Sequence, residues 1–525
     1  MSHDTDRAGF RHVLQSVAPV EQGLAVGGED FGALPAQVVR RLAGEPVAVR
    51  HSALVAGAEE GLHLRHGGDD ELVDALAALH EGAQEVRRLT VHGEGTGGGG
   101  VAEEYNGYKA YWEDGAQLPP EHADAVYAEI CRLDIFRDVK KASFEEALAD
   151  GRIVLIGSEM DEKYLAAVQE QAVNPSAVRS VADSLKIVYS PLHGTGHKLV
   201  PEIMHRIGLK HLYTVDEQMV IDGNFPTVKK PNPEYPDVFD LGIALANRVG
   251  SDLIVATDPD ADRVGVMTRT PDGSFTTITG NQMGALLMDY IITAYRETDT
   301  MPENPYAVKS IVTSELAERI CAANGVKMHN VLTGFKFIGE VIKNYEKTKD
   351  GSFLFGFEES YGYLKGTYAR DKDAVVASML ICEMTAFYKA RGMTLCDARE
   401  ALWKKYGFCY ESNLEIYLEG LDGAARMKAL MSAFRENPPT DFDGIKVKQI
   451  RDYLLGSILE DGKTSPTGLP SSNVLYYRLE NGDVIVARPS GTEPKVKIYY
   501  LLQAADEDNA KEKLARYNET LKKRL

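Results

Sequence analysis

Long apolar runs are missing from this chain. None approaches the roughly twenty residues that a bilayer-spanning helix needs, so no membrane span is expected. The start, Met1-Ser2-His3-Asp4-Thr5-Asp6, is acidic and lacks the apolar region of an export leader. Cysteine is scarce: Cys131, Cys321, Cys382, Cys396 and Cys409 are the five present, an odd number with no C-x-x-C spacing. That excludes a disulfide framework and fits unpaired, mostly buried thiols in a reducing compartment. A cytoplasmic protein is the expectation. Positive charge is also short, with 58 Lys and Arg against 78 Asp and Glu and a net charge of −20. Neither nucleic acid nor an anionic membrane is therefore an expected partner, and any phosphate ligand must be held by local basic groups.

The first part of the chain lacks more. Residues 1–104 contain no lysine, isoleucine, asparagine or cysteine, yet hold seven of the thirteen histidines. No serine stands between Ser52 and Ser143. Only Glu71–Leu79 has apolar residues at helical spacing, and strand signals are few. The segment runs into Gly93-Glu94-Gly95-Thr96-Gly97-Gly98-Gly99-Gly100, which matches G-x-G-x-x-G after Leu89-Thr90-Val91. A dinucleotide site needs a helix to open there, whereas Tyr105-Asn106-Gly107-Tyr108 reads as a turn, and the lysine of a P-loop is absent. The expectation is a flexible or irregular glycine loop.

From Tyr105 the pattern changes. At about 150 residues per domain, 525 residues give three or four domains with ample chain for real cores. Residues 121–132 and 143–149 read as helices, with Arg152–Ile156 as an intervening strand. Lys186–Tyr189, Leu212–Val215 and Leu253–Ala256 read as strands, then Asn281–Arg296 as a helix. Val308–Val312 and Phe353–Phe355 are further strands, with a helix near Glu315–Ala323. Strands alternating with helices predict parallel or mixed α/β sandwiches. The last part, from about Phe442, has strand pairs around Asn481-Gly482 and Arg488 and a terminal basic helix, Asn509–Lys523, an α+β pattern.

The chemistry centres on Thr257-Asp258-Pro259-Asp260-Ala261-Asp262-Arg263-Val264. Pro259 cannot donate to a sheet ladder, so the strand should end there, with the aspartates on the loop beyond. All three carboxylates are expected to be ionised near neutral pH. Three of them in five residues call for a hard cation, and oxygen ligands suit magnesium. Three further stretches add to this. Arg488-Pro489-Ser490-Gly491-Thr492-Glu493-Pro494-Lys495 lies between two strands and offers a guanidinium fork, hydroxyls and glycine-flanked amides, the donors a phosphate dianion needs. Gly356-Phe357-Glu358-Glu359-Ser360-Tyr361-Gly362 sets a carboxylate and a hydroxyl on a glycine-bounded turn, suited to vicinal sugar hydroxyls. Tyr189-Ser190-Pro191-Leu192-His193-Gly194-Thr195-Gly196 is a strand end entering a glycine-rich turn.

In this order and spacing the four stretches resemble the α-D-phosphohexomutase family, the phosphoglucomutases and phosphomannomutases. The bacterial phosphoglucomutase branch is nearest, through Thr333-Gly334-Phe335-Lys336-Phe337-Ile338-Gly339 and Gly366-Thr367-Tyr368-Ala369-Arg370-Asp371-Lys372-Asp373. The likeness covers residues 105–525. It implies an α/β architecture of three α/β/α sandwich domains plus a C-terminal α+β domain. The divisions fall at 105–182, 183–302, 303–420 and 421–525, and 1–104 is an atypical or incomplete opening of the first domain. It also implies a magnesium-dependent isomerase that interconverts hexose 1-phosphate and 6-phosphate, glucose foremost, through a hexose 1,6-bisphosphate. A phosphoserine donates its phosphoryl group, the bisphosphate reorients, and the other phosphate returns to the serine. Carried over by position, Asp258, Asp260 and Asp262 hold Mg2+, Arg263 offsets their charge, and Lys109 is the general acid/base. Glu358, Ser360 and Lys336 meet the sugar, and Arg488, Ser490, Gly491 and Thr492 hold the non-transferring phosphate. His193 reads equally as a cleft residue and as a hydrogen-bonded structural histidine.

One departure matters. The family's Thr-x-Ser-His-Asn-Pro places its serine ten residues before the lysine; counting back from Lys109 reaches Gly99, followed by Gly100, and the nearest hydroxyl is on Thr96. The arginine-glycine entry loop of the first domain is absent too. Three accounts fit: a GC-rich reading frame foreign to the natural product over the first hundred residues, a sugar-phosphate-binding homologue without turnover, or an unfamiliar phosphate carrier. A phosphopentomutase is the remaining alternative for substrate.

Overall fold

The computed structural model describes residues 90–95, 106–112, 114–118, 120–134, 137–138, 142–418, 422–490 and 495–524. The helical spacing at Glu71–Leu79 and Gly99, the position where the nucleophile was expected, lie outside them. Strands β1 (Thr90–Gly95) and β2 (Asn106–Tyr111) form an antiparallel pair with Lys109 opposite His92. This corrects two expectations. Gly93 and Gly95 belong to a strand rather than an irregular loop, and Asn106-Gly107-Tyr108 is extended rather than turned. Asn-Gly favours a turn locally, but Tyr108 and Tyr111 are strand formers and the cross-strand ladder outweighs the dipeptide. The expected strand at Arg152–Ile156 is likewise not formed: Val154 and Leu155 are exposed, and the run has no ladder partner among the described residues.

By packing, the chain divides into two units, residues 1–278 with 338–355 and 361–395, and residues 279–337 with 356–360 and 396–525. The first contains β3 (Lys186–Ser190), β4 (His211–Thr214), β5 (Leu253–Thr257), β6 (Val264–Arg269) and β7 (Phe275–Ile278), ordered β4-β3-β5-β6-β7. β3 runs parallel to β4 and β5, while β6 and β7 extend the sheet antiparallel, so it is mixed as the alternation of elements predicts. Leu253-Ile254-Val255-Ala256-Thr257 is buried at every position, which is why it reads as a continuous apolar run rather than an alternating one. Val188, Leu192, Val215, Phe239 and Ile254 form the core on one side of this sheet. The helix Asp240–Val249 comes close because Gly242 has no Cβ; one there would lie 2.9 Å from the Ile254 side chain.

β8 (Pro305–Ser310) pairs in parallel with β9 (Lys327–Val331), in a four-stranded sheet completed by β10 (Ser352–Glu358) and β11 (Gly362–Leu364), ordered β11-β10-β8-β9. The C-terminal part of the second unit is antiparallel. It comprises β12 (Cys409–Tyr417), β13 (Asp441–Phe442), β14 (Ile445–Asp452), β15 (Ser457–Glu460), β16 (Lys463–Pro466), β17 (Leu475–Leu479), β18 (Val484–Pro489) and β19 (Lys495–Gln503), ordered β12-β19-β18-β17-β14-β15-β16 with β13 on β14. One core joins Leu475, Tyr477, Ile485, Ile498 and Tyr500 of this sheet to Met431, Phe434, Tyr517 and Leu521 of the helices Gly423–Glu436 and Glu507–Lys522. The α+β character expected of this part is present.

Candidate active site

The acidic loop begins where β5 runs out of ladder. Past Thr257 the chain turns on itself: Ala261 N–H donates to the Asp258 carbonyl at 3.0 Å, and Ala261 takes a left-handed φ of 56°. The Asp258 side chain then accepts from the backbone N–H of Asp262 at 3.0 Å and of Arg263 at 2.8 Å. That curl brings one oxygen from each of Asp258, Asp260 and Asp262 within 4.8 Å of one another. Asp258 and Asp262 are buried, and Asp260 is half-buried.

The Tyr189–Gly196 turn supports the loop from behind. Thr195 N–H donates to the Pro259 carbonyl at 2.7 Å, and a Cβ on Gly194 would lie 2.2 Å from Pro259 Cα, so only glycine permits this approach. Leu192 and His193 precede it at φ 46° and 64°. His193 is buried with both ring nitrogens engaged, Nδ1 with the Val220 carbonyl at 2.9 Å and Nε2 with Thr227 Oγ1 at 2.8 Å. The imidazole is thus a fastener between loops, with neither nitrogen spare for a substrate.

Two cations face the aspartates. Lys372 Nζ lies 2.8 Å from Asp262 Oδ2 and 3.6 Å from Asp371 Oδ1. Its stem crosses Gly362, where a Cβ would meet Lys372 Cδ at 2.4 Å. Arg263 pairs with Glu234 at 3.1 Å and with Asp258 and Asp262 at 3.8 Å each. The Tyr111 hydroxyl donates to Asp371 Oδ2 at 3.2 Å, tying β2 to this group. Burial works against both cations, but Asp262 and Asp371 hold the Lys372 ammonium charged, and Asp262, Glu234 and Asp258 do the same for Arg263.

The carboxylates still outnumber these partners. Burial, then repulsion from Asp260 and Asp262, pushes the Asp258 carboxyl well above the ordinary carboxylate range. Asp258 is desolvated beside two further carboxylates, which sequence does not show. The donor set is hard and oxygen-only: Asp258, Asp260 and Asp262, with Asp371 and Glu234 held against Lys372 and Arg263 beside them. A magnesium ion fits that chemistry.

The other stretches gather in the second unit. β10 ends at Glu358, which is buried and accepts the Gly334 N–H at 2.7 Å. Glu359 Oε2 accepts from the hydroxyls of Ser310 at 3.1 Å and Thr313 at 3.4 Å. Ser360 follows, half-buried. Lys336 stands at the start of the helix Phe335–Thr348, its Nζ 5.4 Å from the Phe337 ring centroid. Arg488 is at the end of β18, and Ser490 N–H closes the following loop on the Lys495 carbonyl at 2.8 Å. Gly491 and Thr492 fall outside the described residues, as does the side chain of Lys109.

Comparison with known proteins decides the family. Residues 162–273 match the model of phosphoglucomutase/phosphomannomutase α/β/α domain II, and 279–406 that of domain III. A phosphoglucomutase of Staphylococcus saprophyticus is 36% identical over 407 residues, 77% of this chain and 72% of its own. One from Staphylococcus aureus strain MRSA252 is 35% identical over 420 residues, 78% of this chain and 72% of its own. The chain belongs to the phosphoglucomutase/phosphomannomutase family.

Solved phosphohexomutase structures share the fold at lower identity. The pp63/parafusin phosphoglucomutase of Paramecium aligns with a TM-score of 0.55 at 18% identity, over 79% of this chain and 73% of its own. A phosphoglucomutase/phosphomannomutase family protein of Burkholderia thailandensis aligns at 0.55 and 16%, over 100% and 94%. Within this phosphohexomutase, four site residues were not singled out from sequence: Lys372, Asp371, Glu234 and Tyr111. Lys372 and Asp371 lie inside a stretch that carries the family likeness, so a signal existed without a role. Tyr111 likewise lies in the family-like stretch 105–115, whereas Glu234 carries no signal until folding brings it in.

Proposed function

We propose that the chain is a magnesium-assisted phosphohexomutase interconverting glucose 1-phosphate and glucose 6-phosphate. The observation that carries this is the gathered Asp258–Asp260–Asp262 cluster on a phosphoglucomutase-family scaffold. Those three residues would hold Mg2+, which when bound withdraws charge from a transferring phosphoryl group. Arg263 and Lys372 balance the acidic loop. Lys109 serves as general acid/base at the sugar hydroxyl. Glu358 and Ser360, with Lys336, grip the sugar, and Arg488, Ser490, Gly491 and Thr492 grip the other phosphate. His193 fastens the supporting turn. Hexose 1,6-bisphosphate primes the cycle, the domains divide at 183, 303 and 421, and the protein works in the cytoplasm. Among the described residues no helix is long and apolar enough to cross a membrane.

A second reading has its own observation: glycine at position 99 has no oxygen to phosphorylate. On that reading the chain binds sugar phosphates without turnover. Intact mass after incubation with glucose 1,6-bisphosphate and Mg2+ separates the two. The mutase reading expects one phosphoryl group to be retained, mapped first around Thr96. An unchanged mass favours the binding homologue, and Gly99→Ser is then expected to restore phosphorylation.

A further inference from the structure

Residues 361–374 are fastened to the acidic loop at both ends. At the start, Arg263 bridges Gly362, and Val264 N–H donates to the Tyr361 carbonyl at 3.1 Å. At the end, Ala374 N–H donates at 3.1 Å to the carbonyl of Ala261, the left-handed residue between Asp260 and Asp262. Ala374 opens the helix Ala374–Lys389, so its N–H is a donor with no partner inside that helix. Asp373 caps the same helix, its Oδ1 accepting from Val375 N–H at 2.7 Å and Val376 N–H at 3.3 Å. Its other oxygen, Oδ2, accepts from the hydroxyls of Tyr164 at 2.6 Å and Tyr368 at 2.7 Å. The two tyrosine rings meet edge to face, 6.1 Å between centroids. Tyr164 is fully buried on the helix Ser158–Gln169, which contributes none of the site residues named above.

With donors on both oxygens, the Asp373 carboxylate is held in one orientation, and buried networks of this kind are rigid. The first turn of the helix is therefore set from outside the acidic loop, and the Ala374 N–H with it. Three carboxylates stay gathered only against their mutual repulsion, so the apex of their loop needs a hold of that sort. We propose that Tyr164 is a positioning residue for the metal loop: through Asp373 it fixes the Ala374 N–H that pins Ala261, and so keeps Asp258, Asp260 and Asp262 gathered. Tyr368 shares the task as second donor to the same oxygen. Every residue in this chain of contacts belongs to the first unit. The inference rests on the reading of the three aspartates as Mg2+ ligands.

The test titrates Mg2+ calorimetrically into the full chain and into Tyr164→Phe, which keeps the ring and loses the hydroxyl, and follows urea unfolding of both. Mg2+ affinity is expected to fall about tenfold, as for one loop residue that must be ordered anew on binding. Val168→Ala is the comparison: it trims a fully buried side chain about one turn further along the same helix and touches no hydroxyl. It should lower the unfolding midpoint yet hold Mg2+ affinity within about twofold of the parent. Undiminished affinity in Tyr164→Phe overturns the proposal. So does an equal fall in Val168→Ala, since loosened packing would then be the cause. Should Tyr164→Phe not fold, Tyr368→Phe must show the same selective fall, and the proposal fails if it does not. A folded parent that binds no Mg2+ sinks the metal reading itself, and the inference with it.

Discussion

Asp260→Ala lowers Mg2+ affinity at least 100-fold, about 2.7 kcal/mol. Asp260 is the ligand to choose because it is half-buried, whereas the Asp258 carboxylate also holds two backbone N–H groups of its own loop. One charge pair at 4 Å is worth roughly 4 kcal/mol at an effective dielectric near 20, so a 100-fold loss is a conservative figure for a divalent ion. Asp260 also contributes to the repulsion that raises the Asp258 carboxyl. The same raised carboxyl gives the titration a pH sign. Mg2+ takes the ionised Asp258 carboxylate, so its affinity weakens as pH falls into that carboxyl's raised range. Calorimetric titration at about pH 6 and pH 8 checks both points. Equal affinity in parent and variant would mean that the ion binds elsewhere.

Gly194→Ala destabilises the fold by about 3 kcal/mol or more, at the upper end of overpacking effects. The added Cβ would stand 2.2, 2.4 and 2.6 Å from Pro259 Cα, O and C, all backbone atoms of a loop stiffened by proline. No rotamer change relieves such a clash. Either the Thr195 N–H to Pro259 bond breaks or the acidic loop shifts, so Mg2+ affinity falls as well although no ligand is touched. Gly157→Ala is the control: nothing lies within 4 Å of a Cβ there, and its φ is −114°. Urea unfolding followed by fluorescence should show an earlier midpoint for Gly194→Ala alone. An unchanged midpoint would mean that turn and loop do not touch as described.

The acidic loop was legible because its signals are local. An uninterrupted apolar strand, a proline that ends it and three spaced carboxylates fix the loop's place without tertiary information. The helices Gly280–Glu297 and Glu315–Asn324 were legible for the same reason, through periodicity. What failed was set by partners. Asn106-Gly107 looks like a turn until Thr90–Gly95 pairs with it, and Arg152–Ile156 looks like a strand although nothing described pairs with it. That Asp258 is buried, with its carboxyl raised, cannot be read from its neighbours in sequence. The Tyr111–Asp371 bond spans 260 positions, and Lys372 reaches Asp262 across a turn made passable by Gly362. No local pattern carries those contacts. The Arg488–Lys495 and Gly356–Gly362 loops were singled out by the donors they offer and given their roles by family likeness.

The most direct measurement is a coupled assay for glucose 6-phosphate, run on the full chain with glucose 1-phosphate, Mg2+ and a trace of glucose 1,6-bisphosphate. The mutase reading predicts steady formation that stops when Mg2+ is chelated and is lost in Asp260→Ala. No formation by a folded chain that still binds glucose 6-phosphate would contradict it, leaving a mutase scaffold without its phosphoryl carrier.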